Sequence, residues 1–358
     1  MKLSKEHKFK YDWTLKNANF TKDKGKVFSC FACGGGSTMG YKLAGFDVIG
    51  HNDIDKRMID VYKANHNPKF SFLESITTFA KRKDLPKELY ELDILDGSPP
   101  CSSFSMAGNR EKDWGKEKKF TEGQALQVLD TLFFDFIDLA KELQPKVVVA
   151  ENVEGLLLGN AKSYVINIYK AFDEAGYIVQ HFLLNASKMG VPQKRKRVFF
   201  IALRKDLSSQ FLHSKDMFTQ IPKIVMEFNE KQISVNEFDS FKPGKKLAPS
   251  ILKYWKETPQ GSSICNYIRS LGEKEKFFSY RKVNINEPFC TILTGNNGEF
   301  RHDIPTYFHE EDLIKGGSFP SDYNFLNINH KYLIGMSVPP IMTAQIASNI
   351  YDQWLSKI

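Results

Sequence analysis

The segment Asp96-Gly-Ser-Pro-Pro-Cys101 follows a short apolar run at 92–95 and places a thiol directly behind two prolines. Proline fixes φ, so the pair holds the sulfur at a set angle past the end of the run. A free thiol titrates near ~8.5, and its thiolate fraction is strongly nucleophilic. Rigid presentation favours covalent catalysis; a buried structural cysteine is the competing reading. Farther along, the β-branched run 147–149 leads into Glu151-Asn152-Val153. A carboxyl group enclosed there in an apolar pocket keeps a raised pKa and acts as a proton donor, whereas an acid that merely caps a helix does neither. Gln193-Lys194-Arg195-Lys196-Arg197 precedes another apolar run, 198–202. Alternation along an extended segment sets Gln193, Arg195 and Arg197 on one face and the two lysines on the other. Arginines turned toward the same cleft as Cys101 and Glu151 suit a polar base and its phosphates.

A second cluster has the character of a nucleotide site. Residues 26–31 read as a strand that runs into Phe31-Ala32-Cys33-Gly34-Gly35-Gly36-Ser37. Glycines let the backbone approach a ligand closely and turn into a helix N-terminus. Asp53 comes seventeen residues after Gly36, past a second strand, where an acid can accept hydrogen bonds from ribose hydroxyls. The pairing indicates a nucleotide-like cofactor without saying which; a plain turn and a surface aspartate would look the same. After Cys101 the stretch 107–121 is polar and basic, with Arg110, Lys112, Lys116, Lys118 and Lys119 around Trp114. It reads as a loop able to close over a phosphate backbone, or as a solvated charged loop.

The scaffold that must position these groups is written in the periodicity. Strands are expected at 26–31, 47–51, 92–95, 146–150 and 198–202, and helices from 39 and over 54–64. Leu126, Leu129, Phe133, Phe136, Ile137 and Ala140 recur at three- and four-residue spacing, giving one long helix an apolar face. Strands alternating with helices predict an α/β fold with a parallel, doubly wound sheet. In such sheets ligands sit beyond the carboxyl ends of the strands, where every group named above falls. The rhythm is lost over 204–305, with turn signals at Pro243-Gly244 and Pro259-Gln-Gly261, and this reads as a second, irregular domain. The tail 344–355 is helical again.

Bulk properties narrow the class. With 358 residues, 42% hydrophobic and 26% charged, the chain has the composition of one large or two ordinary globular domains. No apolar run approaches the ~20 residues that span a bilayer, so no membrane association is expected. The N-terminal lysines precede no apolar segment, which predicts a cytosolic protein rather than a secreted one. Five scattered cysteines fit a reducing compartment, and the isolated Cys30-x-x-Cys33 makes a poor metal site. A net charge of +8 suggests a polyanionic partner.

Taken in order, the turn 31–36, Pro99-Pro-Cys101, Thr131-Leu-Phe-Phe134, Glu151-Asn-Val153 and Gln193-x-Arg-x-Arg197 resemble the motifs of the DNA cytosine-5 methyltransferase family, in its bacterial and phage restriction-modification style. Ser318-Phe-Pro-Ser-Asp-Tyr323 and Gly335-Met-Ser-Val-Pro-Pro340 match its last motifs more loosely. The resemblance implies a Rossmann-like domain, 1–203 plus 325–358, and a target-recognition domain, 204–324. It implies transfer of a methyl group from S-adenosylmethionine to C5 of a cytosine flipped out of double-stranded DNA at a specific sequence, leaving S-adenosylhomocysteine. Cys101 would attack C6, Glu151 would engage N3, Asn152 would order the Glu151 loop, Arg197 would contact the cytosine, and Arg195 would support the site.

By the same resemblance the cofactor pocket is lined by Phe31, Ala32, Gly34, Gly35, Gly36, Asp53 and Ile54. Ser75, Ile76, Pro100, Leu132, Ser337 and Val338 complete it. Ser102, Ser105, Arg110, Gln193 and Thr291 are the expected DNA contacts. The family usually has glycine at Cys33, aspartate at Ser75, asparagine at Met336 and an arginine shortly before Ser318. Loss of the aspartate removes an acceptor near the adenine, which opens the expectation of weaker cofactor binding. A monomer is implied, with a cognate restriction endonuclease as an indirect partner acting on the same site. A tRNA methyltransferase of the same fold and a catalytically silent DNA-binding adaptor are the alternatives. Val153-Glu-Gly-Leu after the glutamate strand disfavours the first, and intact Cys101, Glu151 and Arg197 disfavour the second. A dinucleotide oxidoreductase would explain the glycine turn but not Pro-Pro-Cys.

Overall fold

The computed structural model describes residues 7–100, 131–158, 161–214, 220–273, 280–295 and 298–358, and the backbone of 117–118 and 127–128. Two compact units emerge. One gathers Asn19–Leu184, Lys196–Glu227 and Ile346–Ile358; the other gathers Met1–Ala18, Asn185–Arg195 and Phe228–Gln345.

The first unit is built on strands β1 (Lys26–Cys30), β2 (Asp47–Asp53), β3 (Phe70–Leu73) and β4 (Ile94–Gly97). A two-stranded ribbon of β5 (Glu117–Lys118) and β6 (Gln127–Val128) comes next. The large sheet then continues with β7 (Val147–Val153), β8 (Tyr177–Asn185) and β9 (Lys196–Arg204), and its spatial order is β3-β2-β1-β4-β7-β9-β8. The strands from β3 to β7 pair in parallel, while β9 runs antiparallel to β7. The chain moves outward from β1 to β3 and then crosses back to β4, so the switch point lies between β1 and β4. Val27, Phe28, Ile94, Leu95 and Val147 to Val149 are all buried, the mark of strands covered on both faces.

Between the strands lie α1 (Gly36–Leu43), α2 (Lys56–His66), α3 (Ile76–Phe79), α4 (Leu132–Leu143) and α5 (Lys162–Glu174). Phe133 and Phe136 of α4 enter an apolar cluster with Phe28, Phe79, Phe172 and Phe200. α4 ends at Gln144, whose left-handed backbone and following proline stop the helix. It begins six residues after Leu126, where periodicity alone would have started it, because backbone pairing at Gln127–Val128 claims that stretch for a strand.

Hairpin β10 (Leu212–Ser214) and β11 (Gln220–Pro222) also belongs to this unit. The second unit carries a four-stranded sheet of β12 (Pro243–Lys246), β13 (Arg281–Lys282), β14 (Glu299–Phe300) and β15 (Thr306–Phe308) in the order β12-β15-β14-β13. Its helices are α6 (Pro249–Trp255), α7 (Ile264–Ser270), α8 (Glu310–Gly316) and α9 (His330–Met336). The last helix, α10 (Pro340–Gln353), crosses the sequence boundary at Gln345. Arg301 is fully buried here and pairs with Asp239 at 2.7 Å and Asp303 at 2.9 Å.

These units divide neither at the composition change after 203 nor at the 204–324 bounds that the resemblance implies. Residues 204–227 group with the large sheet, because the Trp354 indole donates to the Lys223 carbonyl and the Val225 amide donates to Gln353. The N-terminal segment groups with the second unit: Trp13 donates to the Ser318 carbonyl and His7 meets Glu230 at 2.8 Å. Residues 325–345 do so as well, with the Ile341 amide on Ser318 and Gln345 on the Met189 carbonyl. Composition registers polarity but not the partner onto which a segment locks.

Candidate active site

At the switch point β1 and β4 end level, with Cys30 beside Gly97, while β7, whose Ala150 lies beside Gly97, runs on to Val153. The glycine turn and Ser98-Pro99-Pro100 therefore leave the sheet side by side, and Glu151-Asn152 lie on the part of β7 that extends past them, still paired with β9.

The turn is tightly wound. Phe31, Cys33 and Gly35 have φ of 51, 50 and 84, a left-handed backbone that is strained for the first two. A Cβ on Gly35 would lie 2.4 Å from the His66 ring, so only glycine fits. β2 clasps the turn from the side: the Cys33 amide donates to Asp53 at 2.8 Å and the Ala32 amide to the Asn52 carbonyl. The other Asp53 oxygen accepts the Asp55 amide, and burial pushes this carboxyl up to about 6. With backbone donors from Cys33, Asp55 and Ile54 the carboxylate keeps acceptor capacity for one further donor, which suits a ribose hydroxyl. A close-approach turn beside such a carboxylate fits a nucleoside-type cofactor. Phe31 packs toward Phe136 with ring centroids 6.4 Å apart. Ile76 and Leu132 are buried in the same apolar cluster, while Ile54 is half-buried. Ser75 caps α3, accepting the Thr78 amide at 3.1 Å.

Asp96 was not singled out by sequence reasoning, yet it ties this region together. It is buried at the end of β4, where one oxygen accepts from Ser29 at 2.8 Å and Ser37 at 2.7 Å. The other accepts from Tyr41 at 3.1 Å. Burial raises its carboxyl to about 6 against these three hydroxyl donors. Ser37 and Tyr41 are one turn apart on α1, so the strand leading to Cys101 is fastened to the helix that follows the glycine turn.

On the other side, Asn152 donates to the Pro99 carbonyl at 3.2 Å and accepts the Val153 amide at 2.8 Å. Glu151 stands opposite Phe199 and Val153 opposite Arg197 in the antiparallel pair. Arg197 thus lies diagonally across from Glu151, and its Nε reaches the carboxylate at 3.0 Å. Cys101, Ser102, Ser105 and Arg110 lie outside the described residues. Pro100 is half-buried.

In the second unit, Arg195 is buried and donates to the carbonyls of Gly335, at 2.9 Å, and Ile292. Gln193 is also buried; its amide donates to the Gly316 carbonyl and accepts from the Ile292 amide. Thr291 donates to the Lys194 carbonyl at 2.6 Å. Ser337 bonds the Leu333 carbonyl, Val338 is buried, and Met336 is exposed. The segment 193–195 is thus stitched into its own unit. Gln193 and Arg195, predicted to share a face with Arg197, belong to the second unit, whereas Arg197 lies on β9 of the first. Among the described residues, no three His, Cys, Asp or Glu side chains cluster as metal ligands.

A sheet with its switch point at β1 and β4, a ribose-compatible carboxylate beside the glycine turn and a carboxylate–guanidinium pair on the third strand define the chain as a Rossmann-like α/β protein with a nucleotide-type site at the switch point. Residues 25–352 match the model of the C-5 cytosine-specific DNA methylase family. The Type II methyltransferase M.NgoPII of Neisseria gonorrhoeae is 39% identical over 91% of this chain and 95% of its own length. The orphan methyltransferase M.SPRI of Bacillus phage SPR is 36% identical over 84% of this chain and 71% of its own. In fold, the chain is similar to the Dnmt2 methyltransferase of S. pombe, at a TM-score of 0.59 and 15% identity over 90% of this chain and 97% of that one. The chain belongs to the C-5 cytosine-specific DNA methylase family and is a DNA (cytosine-5) methyltransferase.

Proposed function

We propose that the protein methylates C5 of a cytosine flipped out of duplex DNA at a specific sequence, using S-adenosylmethionine and a covalent bond from Cys101 to C6. The observation that carries the reading is the 3.0 Å contact of Arg197 with Glu151 at the strand end beside the Pro99 segment that Asn152 holds. The ring carbon is a poor nucleophile, and splitting one hard step into two is what a thiolate offers. The Cys101 thiolate bonds to C6, electrons of the C5–C6 bond shift toward C5, and Glu151 gives a proton to N3. C5 would then take the methyl group that bound S-adenosylmethionine supplies, the electron pair of the broken bond to sulfur staying with the donor. A base removes the C5 proton, the double bond re-forms, the thiolate leaves and N3 returns its proton to Glu151. Arg197 orients the Glu151 carboxyl and meets the base.

The glycine turn and Asp53 would hold S-adenosylmethionine, which supplies a methyl group on a sulfonium centre and leaves as S-adenosylhomocysteine. Flipping is required because a stacked base cannot present C6 to a side chain. In this reading Ser102, Ser105, Arg110, Gln193 and Thr291 meet DNA, the last two after rearrangement of the bonds that engage them. The protein acts as a cytoplasmic monomer, and a cognate endonuclease shares its site. No described helix is long and apolar enough to cross a membrane. The test is incubation with methyl-labelled S-adenosylmethionine and, in parallel, mixed-sequence duplex or tRNA, followed by nucleoside analysis. Label in 5-methylcytosine is expected; label in tRNA only, or none, contradicts the reading.

A further inference from the structure

Phe241 is 65% exposed and has a left-handed backbone, φ 58, an unfavourable conformation for a bulky side chain. The strain is held from beneath. The Phe241 amide donates to Asp239 at 2.8 Å, and the same Asp239 oxygen accepts from buried Arg301. The neighbouring Ser240 amide donates to buried Asp312 at 2.8 Å. Lys242 is clamped by both oxygens of Glu311 at 2.7 and 2.9 Å. Two buried carboxylates and an ion pair thus fix a backbone that aims an aromatic ring outward, away from any core.

The surrounding charge indicates what the ring meets. From Ser240 to Lys256 the sequence has five lysines and no acid. Lys245 and Lys246 are exposed on β12, the edge of the four-stranded sheet. Lysines on an edge strand deter pairing with other chains, which would account for them alone. An exposed, rigidly presented phenyl ring beside them works against that purpose. A ring with adjacent cations matches a duplex, where phosphates meet lysines and a base or sugar face meets the ring.

We propose that Phe241 is a DNA-contacting residue, pressing its ring against the duplex while Lys245 and Lys246 bind flanking phosphates. This rests on the duplex-DNA reading above. The test measures affinity for mixed-sequence duplex by fluorescence anisotropy, KM for DNA in methyl transfer, and Tm, on wild type, F241G, F241W and K245Q/K246Q. F241G is expected to bind roughly tenfold more weakly, in line with loss of one aromatic–base contact. Its Tm should be unchanged or higher, since glycine relieves the left-handed strain. F241W should stay near wild type, and K245Q/K246Q should reduce the slope of log affinity against log salt by about 2. F241G with wild-type affinity and KM overturns the proposal and is the result a protein-facing ring would give. F241W as weak as F241G also overturns it. Wild type that neither binds nor methylates duplex overturns both this inference and the function it rests on.

Discussion

The side-chain amide of Asn152 donates to the Pro99 carbonyl across 3.2 Å, joining the strand that carries Glu151 to the segment that ends at Cys101. Asn152 is itself buried, and its oxygen is occupied by the Val153 amide. Its rotamer is therefore fixed at both ends. This bond connects the two groups on which the proposed chemistry depends.

Replacing Asn152 by alanine leaves the Pro99 carbonyl without its donor, a loss of about 1–3 kcal/mol in stability. The expected kinetic effect is a fall in kcat with little change in KM for DNA. Asn152→Asp should be worse, because a carboxylate turned toward a carbonyl repels it. Steady-state kinetics with denaturant melts on both variants check the order; equal kcat in all three proteins contradicts it.

Glu151 and Arg197 should act as a unit. Glu151→Gln keeps the shape but cannot return a proton to and from N3, and a loss of about 10²–10⁴ in kcat is expected of a general acid. Arg197→Ala should lower kcat while leaving nonspecific DNA binding largely intact. Because the groups are 3.0 Å apart, the double variant should lose much less than the product of the single losses. Multiplicative losses in a double-mutant cycle would show that the two act independently.

Asp96 gives a stability signature that depends on pH. Its carboxyl lies at about 6 in the fold against 3.8 ordinarily, first because it is buried. A raised acid binds its proton more tightly when folded. The resulting stabilisation is fully present below 3.8 and is lost as pH rises through 6. Asp96→Asn has no such titration. The stability of D96N relative to wild type should therefore rise between pH 4 and pH 7, by about 2–3 kcal/mol. Urea melts across that range measure it; a constant difference contradicts the account.

How far the sequence could be read depended on chain distance. Parallel strands buried on both faces appear as continuous apolar runs, so the runs 26–31, 92–95 and 146–150 were legible without partners. The residues at their ends followed from the rule that ligands gather there. Asp96 was not legible, because its three donors are 55, 59 and 67 residues away in the chain. The second unit resisted for a different reason. Its strands β13 and β14 are two residues long, too short for a period to show. Alternation groups Gln193 and Arg195 with Arg197, but it cannot reveal that the first two belong to one compact unit and Arg197 to the other.

The account turns on Cys101 as the nucleophile, and the most direct measurement is covalent trapping. Duplex carrying 5-fluorocytosine and S-adenosylmethionine should drive the protein into a stable adduct, since fluorine cannot leave C5 as a proton does and elimination of the thiolate is blocked. Wild type is predicted to form that adduct on denaturing gels, with mass spectrometry placing it on Cys101. Cys101→Ser should form none while still binding DNA. An adduct at another residue, or a Cys101→Ser protein that still methylates cytosine at an appreciable rate, would contradict the mechanism.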